Sequence, residues 1–227
     1  MRLSQERSLR KLRNPAVAKF SERIASWRFG LLKTRLALLG FIAIGSAFIP
    51  PTGDASSLQL RTGSEEAVRT AQAGDLVFRL GKSVWSPYFG GLNSFSGFSH
   101  VGVLIEVSPG LLAVVHAEAD DDGRNGAVKL TSLNQFIHDS LAFEIKRNLM
   151  PSEQKQAFLL ATRRHWLSDT PFDAHFTLRD DAKSVYCTEL VWHASQATAG
   201  YTMGDVETVA GRDIILVDSI YRSKFLK

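Results

Sequence analysis

Short apolar segments recur along residues 76–147, and each one ends at a polar residue, glycine or proline. Segments of this length, rich in Val, Ile, Leu and Phe, are typical of β-strands. The pattern predicts five strands, at 76–78, 100–106, 111–118, 127–130 and 142–147. The second and third are joined by Ser108-Pro109-Gly110, which predicts an antiparallel hairpin.

Apolar residues with helical spacing flank this strand-rich region on both sides. We predict four helices: one from Ser64 towards Gly74, one capped by Thr131, one from Pro151-Ser152 to Leu167, and one that starts at Tyr186-Cys187. The segment 214–221 is apolar, but its pattern fits a strand and a helix equally well. Strands in succession with helices at either end predict an α+β fold, with an antiparallel sheet packed against helices.

The segment between the first two strands, residues 85–99, combines many glycines and serines with aromatic residues. A solvated loop does not need so many aromatic side chains, so we expect the segment to cover either the core or a substrate cleft. The aromatic residues are Trp85, Tyr88, Phe89, Phe95 and Phe98.

Charge is distributed unevenly along the 227 residues. Residues 1–35 hold ten Lys and Arg and two Glu, whereas the remainder holds 17 basic and 21 acidic residues. The net charge of +4 is therefore a property of a basic leader, and nucleic acid is not an expected partner of the domain. We divide the chain into this leader, a hydrophobic segment at 36–51, a linker at 52–63 and a domain at 64–227.

The hydrophobic segment begins with fourteen uncharged residues, 36–49, before Pro50-Pro51. A basic stretch followed by an apolar run of this length is typical of a secretory signal core. If it is not cleaved, residues 30–49 are long enough to anchor the chain in the inner membrane. Both readings predict export to the periplasm or cell envelope. The alternative is an amphipathic helix packed on the domain.

Cys187 is the only cysteine, and the predicted helix places it in a first turn. Unpaired backbone N–H groups and the helix dipole favour a thiolate there, so we expect a lowered pKa. The alternative is that Cys187 is a small buried apolar residue. A reactive thiol requires a base within hydrogen-bond reach and a third group that orients this base.

Two histidines fit that requirement because they lie on neighbouring predicted strands beside the Gly- and Ser-rich segment. His100 begins one strand, and His116 shares a strand face with Glu118, so the two histidines are expected to face one another. The other histidines of the domain lie at polar helix ends and turns or on another side of the last helix; they are His138, His165, His175 and His193.

Other kinds of site have weaker support. A zinc site made of Cys187, His100 and His116 lacks paired ligand spacing, and the acidic turn 120–123 lacks the remaining residues of a calcium loop. Nucleophile-elbow, dinucleotide-binding and phosphate-loop motifs are absent from the sequence. We therefore expect no cofactor and no metal.

Five short motifs occur in an order that resembles one family. They are Gly74-Asp75-Leu76-Val77-Phe78, Ser99-His100-Val101-Gly102, Val115-His116-Ala117, Pro171-Phe172-Asp173 and Tyr186-Cys187-Thr188-Glu189-Leu190-Val191. This order resembles the circularly permuted papain-like amidases of the YiiX and YaeF type. These belong to the NlpC superfamily and are distantly related to lecithin retinol acyltransferase. The resemblance implies a permuted papain-like fold, in which the histidine strands precede the cysteine helix.

The resemblance also implies a role for each site residue. Cys187 would be the nucleophile, His100 the general base and His116 the third member that orients the base. Glu118 is the alternative third member, because many members of the family carry Glu at that place. Tyr186 resembles the tyrosine beside the family nucleophile, with a role either at an oxyanion site or in packing.

The sequence thus predicts an exported cysteine hydrolase that cleaves an amide or acyl-lipid bond through a thioester intermediate. The expected substrate is a peptide, a peptidoglycan fragment or a lipid with an acyl chain, and transfer of the acyl group to another acceptor is a variant of the same chemistry. The alternative is a non-catalytic module that binds lipid or peptide in the same cleft.

Overall fold

The computed structural model describes residues 65–82, 86–120, 125–178 and 181–227. The predicted basic leader, hydrophobic segment and linker lie outside the described residues, and so does most of the acidic turn. In the described ranges, no helix is both long enough and apolar enough to cross a bilayer.

The five predicted strands and four predicted helices occur in the predicted order. Residues 65–70 are helical. The elements after them are β1 Leu76–Gly81, α1 Ser86–Leu92, β2 His100–Ser108, β3 Leu111–Ala119, β4 Gly126–Ser132, α2 Leu133–His138, β5 Ser140–Lys146, α3 Ser152–Leu167, α4 Cys187–Gln196, β6 Glu207–Val209, β7 Arg212–Ile214 and α5 Val217–Tyr221. Of these, α1, β6 and β7 are additional to the predicted elements.

Five of the strands form one antiparallel sheet in the order β4-β3-β2-β1-β5. The central strand β2 pairs with β1, with Arg79 opposite His100, and with β3, with Leu104 opposite Val114. Side chains alternate between the two faces of a sheet. This register therefore brings polar residues of β1, β2 and β3 together near the N-terminal end of β2.

Helices cover both faces of the sheet. On one face, Leu133 and Phe136 of α2 pack against a buried cluster that includes Val77, Leu104 and Val114. Helix α4, which carries Cys187, packs against β2 and β3, and α3 packs against α4. The sheet is thus buried between helical layers, as the α+β prediction requires.

The segment 85–99 is not a plain loop, because α1 occupies its first half. Its aromatic residues have different environments. Phe98 is 8% exposed and packs near Phe78 and Tyr221, whereas Phe95 is 67% exposed. Trp85 and the side chains of Tyr88 and Phe89 lie outside the described residues, so the predicted cover is confirmed only for Phe98.

Two local predictions differ from the structure. The N-cap of α2 is Ser132, whose hydroxyl oxygen accepts a hydrogen bond from Gln135 N, and Thr131 is instead a residue of strand β4. The ambiguous segment 214–221 is divided between the end of β7 and helix α5. In both cases the local sequence permits strand and helix alike, and pairing with a neighbouring strand decides: Thr131 pairs with Val114, and Ile214 pairs with Glu207.

Candidate active site

His100 and His116 face each other across the β2–β3 pair. Nε2 of His100 lies 2.9 Å from Nδ1 of His116, and the two rings are perpendicular. His116 is 1% exposed, and its ring also packs edge-on against Phe136. The prediction that the two strands bring these rings together is confirmed.

A third residue continues this line of hydrogen bonds. Nε2 of His116 lies 2.9 Å from the hydroxyl oxygen of Thr131 on β4. If His100 is to accept a proton at Nδ1, its own ring proton must be on Nε2 and is donated to His116 Nδ1. His116 then carries its proton on Nε2 and donates it to Thr131.

Glu118 has a different partner. Its Oε1 accepts a hydrogen bond and ion pair from Arg79 Nη2, while the described residues give it no hydrogen bond to either histidine. Arg79 is buried, donates a long bond of 3.4 Å to Phe136 O, and stacks 4.2 Å above the Phe136 ring. Between the two candidates for the third position, only His116 contacts His100 directly.

Burial keeps both histidines uncharged. It lowers the pKa of His100 well below 6.5, and the charge of Arg79 lowers it further. Burial lowers the pKa of His116 in the same direction, again with Arg79 and also with Lys129 contributing. His100 is therefore a neutral imidazole with a free ring nitrogen at neutral pH, which is the form that accepts a proton.

Cys187 is the first residue of α4, as predicted, but its protonation differs from the prediction. Backbone N–H groups of Val101, Thr188 and Cys187 itself favour the thiolate, yet burial outweighs them and raises the pKa of the thiol to about 11. The expectation of a lowered pKa is therefore wrong, because desolvation exceeds the effect of the helix N-terminus.

The sulfur lies against the N–H of Val101, the residue next to His100. No hydrogen bond among the described residues joins it to a histidine ring. Such bonds are often long before substrate binds and tighten afterwards. The resting arrangement is thus a neutral thiol near a neutral imidazole.

Cys187 and His100 line one cavity of about 610 Å³. Arg79, Lys82, Glu118 and Asp139 are the charged residues of its lining. Most of the remaining wall is apolar. It comes from α1, from β3, from the segment before α4 and from the end of β7 through the start of α5, and includes Leu92, Ala117, Ala119, Phe172, Ala174, Phe176, Ile214, Ile215, Leu216 and Val217.

Comparison with known proteins places this arrangement in a family. Residues 70–218 match the family described as permuted papain-like amidase enzyme, YaeF/YiiX, C92 family. The chain belongs to this family. The family's description as a papain-like amidase supports a hydrolase-like role, and the antiparallel sheet with its helices fits a permuted papain-like fold.

Two similar proteins come from Escherichia coli. The uncharacterized protein YiiX of strain K12 is 28% identical over 148 residues, which cover 63% of this chain and 66% of that protein. The crystal structure described as that of metalloprotein YiiX, from O157:H7, is 21% identical, with a TM-score of 0.57 over 69% of this chain and 94% of the other. At this identity, the structural likeness shows the fold alone.

In this member of the permuted papain-like amidase family, Tyr186 is buried and its hydroxyl oxygen accepts a hydrogen bond of 2.9 Å from Ile215 N. Burial raises its pKa. Its backbone N–H donates to Glu189 Oε2 at 3.3 Å, which fixes the start of α4. Tyr186 thus connects the helix that begins with Cys187 to the cavity wall around Ile215.

Two acidic residues of the family motifs, Asp75 and Asp173, accept hydrogen bonds from backbone N–H groups. Asp75 is fully buried and accepts hydrogen bonds from Gln72 N and Asn148 N. Asp173 accepts hydrogen bonds from the N–H groups of His175 and Thr177 and so closes the turn that follows Phe172.

Two residues of this site are not indicated by the sequence pattern. Arg79 follows an apolar run that predicts an ordinary strand end, and only the β1–β2 register shows that it lies opposite His100. Thr131 was interpreted as a helix cap. Its proximity to His116 depends on the pairing of β3 with β4, which no local pattern indicates.

The donor groups of this site also fit a metal ion. His100, His116 and Glu118 each offer one ligand atom, and these atoms lie within 4.8 Å of one another. Two imidazole nitrogens and a carboxylate oxygen are ligands that suit zinc and related transition metals. Cys187 is not part of this group.

Proposed function

We propose that this protein is a cysteine hydrolase in which Cys187 is the nucleophile, His100 the general base and His116 the residue that orients the base. The observation that carries the proposal is the 2.9 Å contact of His100 Nε2 with His116 Nδ1 in a cavity that Cys187 also lines. The contact leaves Nδ1 of His100 as the nitrogen available to the thiol.

The reaction starts from two neutral groups. As Sγ of Cys187 attacks the substrate carbonyl carbon, His100 Nδ1 takes the thiol proton, and the C=O electron pair becomes an oxyanion. The tetrahedral intermediate expels an amine or alcohol, which takes the proton from His100. Water, deprotonated by His100, then hydrolyses the thioester and restores the thiol.

The start of α4 supplies donors for the oxyanion. The N–H groups of Cys187 and Thr188 already point at the sulfur, so they are close to the carbonyl oxygen of a substrate bound there. Tyr186 acts as a positioning residue, because its hydroxyl holds Ile215 N in the cavity wall.

The cavity lining supports an acyl chain as the group on the carbonyl. A volume of about 610 Å³ falls in the range of small-molecule sites, and its wall is mostly aliphatic and aromatic. A multiply charged peptidoglycan peptide would need more cationic partners than Arg79 and Lys82 supply. We therefore infer an acyl amide or acyl ester as the substrate class.

Export belongs to the same proposal. The basic leader and the apolar run at 36–49 would direct the domain to the periplasm or cell envelope. N-terminal sequencing of the mature protein tests this. A start near Ser56 supports cleavage, an intact start with membrane association supports an anchor, and an intact chain recovered from the cytoplasm contradicts export.

A long-chain acyl analogue that carries a thiol-reactive vinyl sulfone tests the hydrolase. We expect stoichiometric labelling of the wild type, none of Cys187→Ala, and a labelling rate that falls in His100→Ala. Because Cys187 is the only cysteine, Cys187→Ala is the blank for all thiol labelling. A labelling rate unaffected by His100→Ala would contradict the assigned base.

The same variant separates catalysis from simple binding. A lipid that co-purifies equally with wild type and Cys187→Ala, and that neither protein turns over, would favour a non-catalytic lipid-binding module. Hydrolysis products found only with the wild type support the enzyme. Mass spectrometry of the co-purifying molecules distinguishes these results.

A further inference from the structure

The three potential ligand groups of the site include one nitrogen that the proposed hydrolase also uses, Nε2 of His100. Nε2 of His100 faces Nδ1 of His116 at 2.9 Å, and a Glu118 oxygen lies within 4.8 Å of one nitrogen of each ring. Two imidazole ligands on one tetrahedral metal ion are separated by about 3.3 Å, which follows from metal–nitrogen bonds of about 2.0–2.1 Å. Small movements of the rings are therefore enough to admit an ion.

The structure already holds an outer partner for such an ion. A metal-bound histidine usually donates its second ring N–H to an oxygen, which fixes the orientation of the ring. His116 has this arrangement: with Nδ1 as the ligand, Nε2–H points to Thr131 Oγ1 at 2.9 Å. The buried His116 ring, 1% exposed, is therefore pre-oriented for coordination.

We propose that His100, His116 and Glu118 bind a divalent transition metal ion of the zinc class, and that this ion and thiol catalysis exclude one another. The second part rests on the proposed function. Catalysis needs the His100 proton on Nε2, so that the Nδ1 lone pair can accept the thiol proton. An ion on Nε2 forces this proton to Nδ1, and the base then has no lone pair for Cys187.

Arg79 opposes the ion. Its guanidinium pairs with Glu118 and lies beside both histidines, so a bound cation must displace it from the carboxylate and tolerate its charge. Arg79 thus keeps the affinity for the ion low enough for binding to be reversible, and the ion acts as an inhibitor rather than as a permanent component.

The test uses Cys187→Ala, which cannot hydrolyse the substrate but keeps all three ligands. Chelator-treated protein is titrated with Zn²⁺ by calorimetry and with Co²⁺ by visible absorption. We expect one ion per chain, and affinity at least about 10-fold weaker in His116→Ala and in Glu118→Gln. On the wild type, the cobalt spectrum should lack a sulfur charge-transfer band, because Cys187 is not a ligand. Arg79→Met should bind more tightly.

His138→Ala is the matched control, because this histidine also has a carboxylate neighbour but is 79% exposed. Equal affinity in His138→Ala and the parent variant is expected. Binding that is lost in His138→Ala, or that is unchanged in both His116→Ala and Glu118→Gln, would overturn the site.

Whether metal binding excludes thiol catalysis is measured separately, on the wild type. Zn²⁺ should suppress turnover of the acyl substrate, and chelation should restore it. Turnover that persists with one ion bound would overturn the exclusion and leave the hydrolase intact. A protein that binds the ion but never turns over substrate would instead contradict the proposed function.

Discussion

Nε2 of His100 and Nδ1 of His116 are joined by a hydrogen bond of 2.9 Å between adjacent antiparallel strands. The bond fixes the orientation of the His100 ring. It occupies Nε2 and leaves Nδ1 for the proposed proton transfer from Cys187. Since both residues belong to regular strands, the orientation is set by sheet register rather than by a mobile loop, which favours a pre-organised base.

His116→Ala should lower kcat by about 10²-fold, because the ring of His100 loses the partner that fixes its orientation and tautomer. KM for an acyl substrate should change little, and His116→Gln should restore part of the activity through its amide oxygen. Steady-state kinetics with the acyl substrate measure both effects.

Glu118→Gln tests Glu118, the alternative to His116 as the residue that orients His100. It removes the charge that Arg79 pairs with, and since Glu118 is 39% exposed, we expect a stability loss of about 1 kcal/mol and a smaller effect on kcat. A larger drop in kcat for Glu118→Gln than for His116→Ala would assign the third role to Glu118.

Thr131→Val should destabilise the protein by about 1–3 kcal/mol, because it leaves Nε2–H of the buried His116 without an acceptor. Urea denaturation gives the free energy of unfolding. Thr208→Val is the control, since its hydroxyl bonds Asp213 at an exposed site, and its effect should stay within about 0.5 kcal/mol. Equal losses in the two variants would contradict a buried network.

Gly102→Ala should cost about 1–3 kcal/mol by overpacking. A Cβ there would overlap Cγ1 of Val114 and lie 3.2 Å from Cβ of His116, so it also disturbs the histidine pair. In Gly91→Ala the new Cβ meets nothing within 4 Å, and we expect little change or a slight gain in stability. Thermal unfolding of the two variants side by side makes this comparison.

Alkylation of Cys187 by iodoacetamide should be slow at neutral pH and should accelerate as the pH rises towards about 11. The folded thiol holds its proton more tightly than an unfolded one, with a pKa near 9.0, so stability relative to Cys187→Ser falls as the pH rises from about 9 to about 11. An alkylation rate that levels off near pH 8 would contradict the buried, protonated thiol.

Acid should destabilise the protein through the histidine pair. Both folded pKa values lie below 6.5, so the stabilising contribution is present above that pH and is lost as the pH falls below it. We expect the urea midpoint of the wild type to drop more than that of His116→Gln between about pH 7.5 and about pH 5, with chelator present. Equal drops would show that His116 is not buried as a neutral ring.

Much of the site could be predicted because its parts are encoded locally. The start of the Cys187 helix and the two histidine strands have clear apolar patterns, and alternation along a strand places His116 and Glu118 on one face. The order of the family motifs then assigns a role to each residue. These roles remain predictions, whereas the meeting of the two rings is observed.

The parts that were missed depend on pairing between distant segments. Arg79 reaches the site because β1 pairs with β2, and Thr131 because β4 pairs with β3. The predicted direction of the Cys187 pKa shift was also wrong. The helix N-terminus that favours the thiolate is a local feature of the sequence, whereas the desolvation that outweighs it comes from the whole surrounding fold.

The permuted order has a consequence for the growing polypeptide. During synthesis, the strands with His100, His116 and Thr131 leave the ribosome well before the helix with Cys187. Until Cys187 is added, a nascent chain therefore carries the proposed base and its partners without the proposed nucleophile. A product of translation that stops before Cys187 lacks the thiol, so the proposed hydrolytic activity requires synthesis beyond that residue.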